Sequence, residues 1–386
     1  MKKLIVSLGL ALTLSFGATV DEGVEAFEKG DYKTALIIFE DLASKNDTKA
    51  KYNLGIMYYN GYGVKQDYLK AKEWYEKAAA QGLADAQYNL GVIYKNGLGV
   101  KQDYKKAIEW YEKAALQGYA DAQLNLGAMY ANGEGVKQDY LKAKEWYEKA
   151  AAQGLADAQY NLGVIYINGQ GVKQDYQKAL EWYEKAAIQG YASAQSNLGA
   201  MYQNGEGVKQ DYLKAKELYE KAAAQGFAAA QYNLGVIYDF GQGVKQDYKK
   251  AFEWYEKAAK QGFAKAQYNL GLMYSNGEGV KQDYFKAKEW YEKAAAQSNT
   301  KAQFNLGNMY INGHGVKQDY KKAIEWYEKA AAQGYPLAKN NLGVIYDNGF
   351  GVKQDKKIAK KLFGEACDGG DQKGCDNYKK LNQQGY

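Results

Sequence analysis

The stretch AQYNLGVIYKNGLGVKQDYKKAIEWYEKAALQG (Ala86–Gly118) decides the fold, because shifted copies of it fill most of the chain. Self-similarity at one fixed period is the signature of a repeat protein, in which each repeat buries its apolar face against the next. The glycine of the NLG segment returns every 36 residues, at Gly55, Gly91, Gly127, Gly163, Gly199, Gly235, Gly271, Gly307 and Gly343.

The first half of the repeat has the pattern of an amphipathic helix over residues 85–95. Ala86, Leu90 and Tyr94 fall at i, i+4 and i+8 and make one apolar stripe. Gly91 interrupts this helix, at a cost of about 1 kcal/mol relative to alanine. Because all nine copies keep the glycine, we expect another backbone to pass close to it.

The second half predicts another helix after a glycine-rich turn. Gly97 and Gly99 permit the positive φ that ends the first helix. Asp103 stands at the N-cap, where its side chain can accept backbone N–H bonds, and Gly118 closes the second helix. We expect large aromatic residues of this helix to fill the gaps between small residues, at Trp74, Trp110, Trp146 and their equivalents.

Composition agrees with a helical protein that does not bind nucleic acid. The 386 residues are 46% hydrophobic and include a single proline, Pro336. The net charge is +6, from 51 lysines against 45 acidic residues, with no arginine. Without guanidinium groups, and with the two signs interleaved so that no basic stripe forms, we expect no nucleic-acid partner.

The N-terminus has the pattern of an export signal. Lys2 and Lys3 precede the short apolar run Leu4–Leu14, and Ser15 and Gly17 suit the −3 and −1 positions of a cleavage site. We expect residues 1–18 to be a signal peptide; a buried first helix is the alternative. The mature chain would be soluble, without a membrane span, and periplasmic or secreted.

These patterns predict an all-α fold, a right-handed α/α solenoid of about ten helix-turn-helix repeats with capping ends. Residues 19–46 would form an N-terminal capping hairpin, since they lack the glycine-rich insertion. Residues 47–366 would form the solenoid, and residues 367–386 a C-terminal cap. We expect a monomer.

The repeat resembles the Sel-one-like repeat (SLR), a relative of the tetratricopeptide repeat, over about residues 48–370. The stretch Ala86–Gly118 matches the pattern A-x-x-x-L-G-x-x-Y-x-x-G-x-G-V-x-x-D-x-x-K-A-x-x-W-Y-x-K-A-A-x-x-G nearly residue by residue. Residues 19–46 resemble a tetratricopeptide repeat. The resemblance implies a superhelix whose first helices line a concave side, and an adaptor that holds segments of other proteins through this groove.

The chain has two cysteines, Cys367 and Cys375. An even count in an exported protein indicates one disulfide. Two thiols without a nearby histidine are too few for a metal site, so we expect no metal and no cofactor. Exported bacterial SLR proteins include a cysteine-rich branch in which every repeat has such a pair, bridging a second helix to the next first helix; this chain keeps only the last pair.

A row of asparagines is the candidate binding site. It comprises Asn53, Asn89, Asn125, Asn161, Asn197, Asn233, Asn269, Asn305 and Asn341, one in each repeat. In the tetratricopeptide repeats that this chain resembles, the matching amide points into the groove, where it can donate to and accept from a peptide backbone. Alternatively, each amide holds a neighbouring turn of the protein itself.

A hydrolase of the β-lactamase or penicillin-binding type, acting on β-lactams or cell-wall fragments, is the alternative function. Ser298 and Lys301 match its S-x-x-K motif, and some cysteine-rich SLR proteins carry such a label. However, S-D-N and K-T-G companions are missing, and Ser298 also suits the N-cap of the next helix. The one histidine, His314, stands at a variable loop position, where we expect it to be solvated.

Near-identity of the repeats favours binding over catalysis. Residues 63–94 are identical to residues 135–166. An active site needs unlike residues that converge at one place, whereas identical repeats form a long, uniform surface. We therefore expect a protein or peptide partner and assign no catalytic residue.

Overall fold

The computed structural model describes residues 17–386, and every regular element in that range is an α-helix. The chain divides into an N-terminal unit that ends at Ala186 and a C-terminal unit, Ala187–Tyr386. The predicted signal peptide, residues 1–18, lies outside the described residues except for its last two.

The N-terminal unit contains α1 (Val20–Glu28), α2 (Tyr32–Ser44), α3 (Thr48–Asn60), α4 (Tyr68–Ala79), α5 (Ala84–Asn96), α6 (Tyr104–Leu116), α7 (Ala120–Asn132), α8 (Tyr140–Ala152), α9 (Ala156–Asn168) and most of α10 (Tyr176–Ile188). The C-terminal unit contains α11 (Ala192–Asn204), α12 (Tyr212–Ala224), α13 (Ala228–Phe240), α14 (Tyr248–Lys260), α15 (Ala264–Asn276), α16 (Tyr284–Ala296), α17 (Thr300–Asn312), α18 (Tyr320–Ala332), α19 (Pro336–Asn348), α20 (Lys356–Asp368) and α21 (Gln372–Gln383).

Each repeat contributes two consecutive helices, which we call its first helix and its second helix. In the repeat quoted above these are α5 and α6, which pack together, and α6 packs in turn against α7 of the next repeat. The same alternation holds in the C-terminal unit, where α14 packs against both α13 and α15. The predicted fold class, an all-α solenoid of helix-turn-helix repeats, is confirmed.

Local chemistry sets the ends of these helices as predicted. The Asp103 carboxylate accepts a hydrogen bond from the backbone N–H of Lys106 at 3.1 Å and so caps α6. Gly97 ends α5 in the left-handed conformation, with φ of +68°, and its N–H donates to the carbonyl of Ile93. Gly118 follows the end of α6, also with positive φ.

The group that packs against Gly91 is an aromatic ring. This corrects the expectation that a backbone passes there. A Cβ at Gly91 would lie 2.5 Å from Cδ1 of Tyr111. This ring, on the second helix of the same repeat, has 0% of its surface exposed. The first helix therefore lacks a side chain at this point because a tyrosine ring lies flat against it.

The buried aromatic residue of the second helix is the tyrosine rather than the expected tryptophan. Trp110 is only half-buried, and the Nζ atom of Lys113 lies 3.9 Å from the centroid of its ring. This is the geometry of a cation–π contact at the protein surface. Tyr111 and its equivalents therefore fill the gaps between the small residues of each repeat, and Trp110 lies nearer the surface.

A close approach between backbones does occur, in the glycine-rich turn. Gly135 has a φ of +74°, and a Cβ there would lie 2.9 Å from the carbonyl carbon of Tyr104 in the preceding repeat. Any larger residue would be excluded both by this contact and by the left-handed backbone. The turn therefore joins successive repeats.

Both ends of the described chain are hairpins of helices. At the start, the Thr19 hydroxyl accepts from the N–H of Glu22, whose carboxylate accepts from the N–H of Thr19, and this capping box begins α1. At the other end, the predicted disulfide joins Cys367 in α20 to Cys375 in α21. Among the described helices, none is both long and apolar enough to cross a membrane.

Candidate functional site

The asparagine row lies on the first helices, at one equivalent position in each repeat. In each repeat the asparagine directly precedes the buried leucine and the glycine that contacts an aromatic ring, as Asn89 precedes Leu90 and Gly91. All nine asparagines are half-buried. We call the surface formed by this asparagine and the residues one and four positions before it the first-helix surface.

The amides of the row have different partners. At one extreme, Asn341 Nδ2 lies 3.2 Å from the hydroxyl of Tyr327 and 3.4 Å from Oδ1 of Asn308. Asn125 Nδ2 donates to the carbonyl of Asp121 in its own helix at 2.9 Å. In contrast, the amides of three members of the row make no hydrogen bond to the described residues, namely Asn53, Asn161 and Asn233.

Tyrosine hydroxyls of the preceding repeat lie near several of these amides. Burial raises the pKa of Tyr52, and the Asp85 carboxylate raises it further, while a hydrogen bond from the Asn89 amide opposes the rise. Burial likewise raises the pKa of Tyr268, and the nearby Asn305 amide opposes it. These phenols remain neutral, so that the rings supply apolar contact area and neutral hydrogen-bonding groups.

The C-terminal unit holds a cleft of about 500 Å³ on the first-helix surface. Residues from α13, α15, the start of α17 and the turn before α19 line it: Tyr232, Lys265, Tyr268, Asn269, Asn299, Thr300, Lys301, Gln333, Gly334 and Tyr335. The cleft thus brings one asparagine of the row together with two lysines and three tyrosines. We call it the lysine cleft.

Two of the tyrosines that line the lysine cleft pack against phenylalanine rings. The ring centroids of Tyr232 and Phe263 lie 5.3 Å apart, and those of Phe304 and Tyr335 lie 5.2 Å apart. Such pairs hold each other in place. A ligand would therefore meet preformed walls.

The S-x-x-K residues lie in the turn before α17 and at the start of that helix. Ser298 occupies a glycine position of the repeat with a φ of +61°, is exposed, and makes no side-chain hydrogen bond to Lys301 among the described residues. The expected N-cap role of Ser298 is wrong, because Asn299 caps α17 by accepting from the N–H of Ala302 at 2.9 Å. Lys301 instead lines the lysine cleft.

His314 is an exposed loop residue, as predicted, and its ring stacks on Tyr284 with the centroids 4.7 Å apart. Within residues 17–386, no group of three His, Cys, Asp or Glu side chains is placed to hold a metal ion.

Sequence reasoning missed a second row of amides, which is buried. Gln117 Nε2 donates to Gln87 Oε1 at 2.8 Å, and Gln87 Nε2 donates to the carbonyl of Ala79 in the preceding repeat at 3.4 Å. The period itself was a signal, since a glutamine follows the first-helix alanine in seven repeats: Gln87, Gln123, Gln159, Gln195, Gln231, Gln267 and Gln303. Each is only 5–6% exposed, so this row links repeats and is not a ligand surface.

The fold and the first-helix surface define an all-α protein built from one helical hairpin per repeat. The Sel1 repeat model matches nine consecutive segments, residues 48–83, 84–119, 120–155, 156–191, 192–227, 228–263, 264–299, 300–335 and 336–371. The chain therefore belongs to the Sel1 repeat family, as the SLR resemblance predicted.

Two solved structures of the same fold are similar over most of the chain. One is c5321, a protective antigen of uropathogenic Escherichia coli, with 35% identity over 95% of this chain and 91% of that chain, and a TM-score of 0.63. The other is a Sel1 repeat protein of Oxalobacter formigenes, with 37% identity over 80% of this chain and 90% of that chain, and a TM-score of 0.66. No curated protein matches the sequence. Proteins with such repeats generally serve as scaffolds for protein–protein interaction.

Proposed function

We propose that this chain is an exported scaffold that binds an extended segment of another protein along its first-helix surface. The observation that carries the proposal is the asparagine row, in which half-buried amides without an internal partner, such as Asn161 and Asn233, each follow a half-buried tyrosine, Tyr160 or Tyr232, in the chain. An amide that both donates and accepts can bind the backbone of a peptide with little demand on its sequence.

Internal bonding of some amides is compatible with this role. Asn341 at one end bonds to Tyr327 and Asn308, so it supports the structure locally and contributes less to a ligand. The peptide therefore binds mainly at repeats whose asparagine makes no internal hydrogen bond. The aromatic rings add apolar contact area, and the amides orient the bound peptide through hydrogen bonds.

Export is supported by three features. The first residues have the basic start and the apolar run of a signal peptide. The disulfide between Cys367 and Cys375 is typical of an oxidising compartment. A similar structure, c5321, is described as a protective antigen of a pathogen. N-terminal sequencing of the protein from its own cells tests this, since a chain that still begins at Met1 contradicts export by this signal.

Binding is tested with a peptide array and the purified mature chain. Replacing Asn161 by alanine, and in a separate variant Asn233, removes one amide from each unit, and each amide contributes about two- to tenfold in affinity if it bonds a peptide backbone. Gln177→Ala is the matched control, because it removes an exposed amide from a second helix. Circular dichroism confirms that the variants are folded.

Peptide binding on the first-helix surface requires that the asparagine variants lose affinity and the control does not. Equal binding by all variants would contradict it. Hydrolysis of a chromogenic β-lactam that disappears in Ser298→Ala would instead favour the hydrolase.

A further inference from the structure

The second residue of the first helices differs in charge between the two units. In the N-terminal unit α5, α7 and α9 carry aspartate, after a lysine in α3; in the C-terminal unit α15 and α17 carry lysine, with neutral residues in the other first helices. In chain order the residues are Lys49, Asp85, Asp121, Asp157, Ser193, Ala229, Lys265, Lys301 and Leu337.

The two lysines of the C-terminal unit are unfavourable for the helices that carry them. A helix has a partial positive charge at its N-terminus, so anions are stabilising there and cations are not. Asp85 and Asp121 follow this rule in α5 and α7, whereas Lys265 and Lys301 break it in α15 and α17. An anion bound beside these lysines would pair with their charges. It would also reduce the repulsion between each lysine and the N-terminus of its helix.

Both lysines also lack an internal counter-ion. Neither Lys265 nor Lys301 forms a salt bridge with the described residues, although both are exposed and line the same cleft. No aspartate or glutamate lines the lysine cleft. Other lysines of the unit do pair, for example Lys288 with Glu292 at 2.7 Å.

We propose that the lysine cleft of the C-terminal unit binds an acidic peptide segment, whose carboxylates pair with Lys265 and Lys301. The inference rests on the proposed function, because the peptide backbone would contact the Asn269 amide, which lines the same cleft. The rings of Tyr268 and Tyr335 accept the apolar parts of the same segment. The aspartates at the corresponding positions of the N-terminal unit make that unit a poor acceptor of the same peptide.

Fluorescence anisotropy tests the proposal with three labelled peptides of equal length, in which several positions are all glutamate, all glutamine or all lysine. We expect the glutamate peptide to bind about tenfold more tightly than the glutamine peptide, which is the effect of two exposed ion pairs at low salt. This advantage should shrink as ionic strength rises from about 0.01 M to about 0.15 M, because the screening length falls from about 30 Å to about 8 Å.

The test variant is Lys265→Asp with Lys301→Asp, which introduces the residue found in α5, α7 and α9. It should lose the preference for glutamate while its thermal midpoint stays equal or rises, since aspartate suits a helix N-terminus. The matched control is Lys245→Asp with Lys281→Asp. These exposed lysines lie in the glycine-rich turns before α14 and α16, and their replacement changes the net charge by the same amount.

The outcomes separate the two proposals. If no peptide of any charge binds the wild-type chain, the proposed function fails. If peptides bind but glutamate has no advantage, or the advantage survives in the test variant or is lost equally in the control, the acidic-segment inference fails alone. If a single-stranded DNA of matched charge binds as tightly as the glutamate peptide, the cleft selects charge and not peptide, and the inference is overturned.

Discussion

Replacing Gly271 by alanine tests the contact that packs the two helices of a repeat together. In an isolated helix the change would stabilise α15 by about 1 kcal/mol. In the folded chain the new Cβ would lie 2.6 Å from Cδ1 and Cε1 of Tyr291. Carbon atoms pack at about 3.5–4.0 Å, so the contact would be too short by about 1 Å.

The magnitude follows from how little the ring can move. Tyr291 is 2% exposed, and the clash involves the body of its ring rather than a flexible end. Overpacking of a core costs about 1–3 kcal/mol, and this geometry belongs at the upper end. After the gain in helix propensity, we expect a net loss of about 2 kcal/mol in the free energy of unfolding.

Urea denaturation followed by circular dichroism measures this loss. Hydrogen exchange in α15 and α16 locates it, because the stability of a solenoid is a sum of local terms. Gly364→Ala is the control, since its Cβ would lie 3.3 Å from the ring of Tyr378, which is 39% exposed and free to move. This control should be as stable as wild type or more so.

Two results would refute the packing argument. One is a Gly271→Ala variant as stable as the wild type. The other is a penalty that persists when Tyr291 is first replaced by leucine, since the alanine would then have no ring to meet.

Three further predictions follow from the structure. Gln267→Ala should destabilise the chain by about 1–3 kcal/mol in urea, because it leaves buried groups unpaired; no change would show that this buried row does not join repeats. Replacing Cys367 and Cys375 by serine should remove about 2.5 kcal/mol, confined to the last two helices in hydrogen exchange; a loss spread over the chain would contradict a local clamp. Burial raises the pKa of Asp239, although a hydrogen bond from Tyr255 lowers it. The charged carboxylate of Asp239 therefore destabilises the fold above that pKa. Asp239→Asn should therefore be more stable than wild type at neutral pH, with the difference vanishing in thermal melts as the pH falls below about 3.9; a constant difference would refute this.

The fold was predictable because its determinants are local and repeated. The i, i+4 stripe of Ala86 and Leu90 and the N-cap of Asp103 each depend on residues a few positions apart. Nine copies of the same pattern then remove the ambiguity that a single short helix would leave. Stacking follows, since one hairpin cannot bury its own stripe.

The identity of the buried aromatic residue was not predictable in this way. Trp110 and Tyr111 are neighbours in sequence, and either can share a face with Ala107 and Ala114. The choice depends on the angle at which α5 crosses α6, and this angle is a property of the packed pair. The role of Gly91 was missed for the same reason, because it depends on which aromatic ring of the second helix packs against it.

The candidate site was also predictable only in part. The sequence could predict that the asparagines share one side of the first helices, because a period of 36 residues repeats the helical position in every copy. It could not predict that Asn341 bonds to Tyr327 while Asn161 has no internal partner. Those differences arise from neighbouring repeats.

Differences between the copies also indicate which positions can vary without loss of the fold. The segments 120–155 and 264–299 occupy equivalent repeats and keep the same glycine and tyrosine in contact, because any change there breaks the packing. On the first-helix surface they differ, with Asp121 and Leu124 in one and Lys265 and Tyr268 in the other. Substitutions at exposed positions change stability by about 0.5 kcal/mol or less, so this surface can acquire a new charge while the core stays intact. A chain of copied repeats thereby separates the residues that hold the fold from those that can vary, and Lys265 and Lys301 of the lysine cleft lie among the latter.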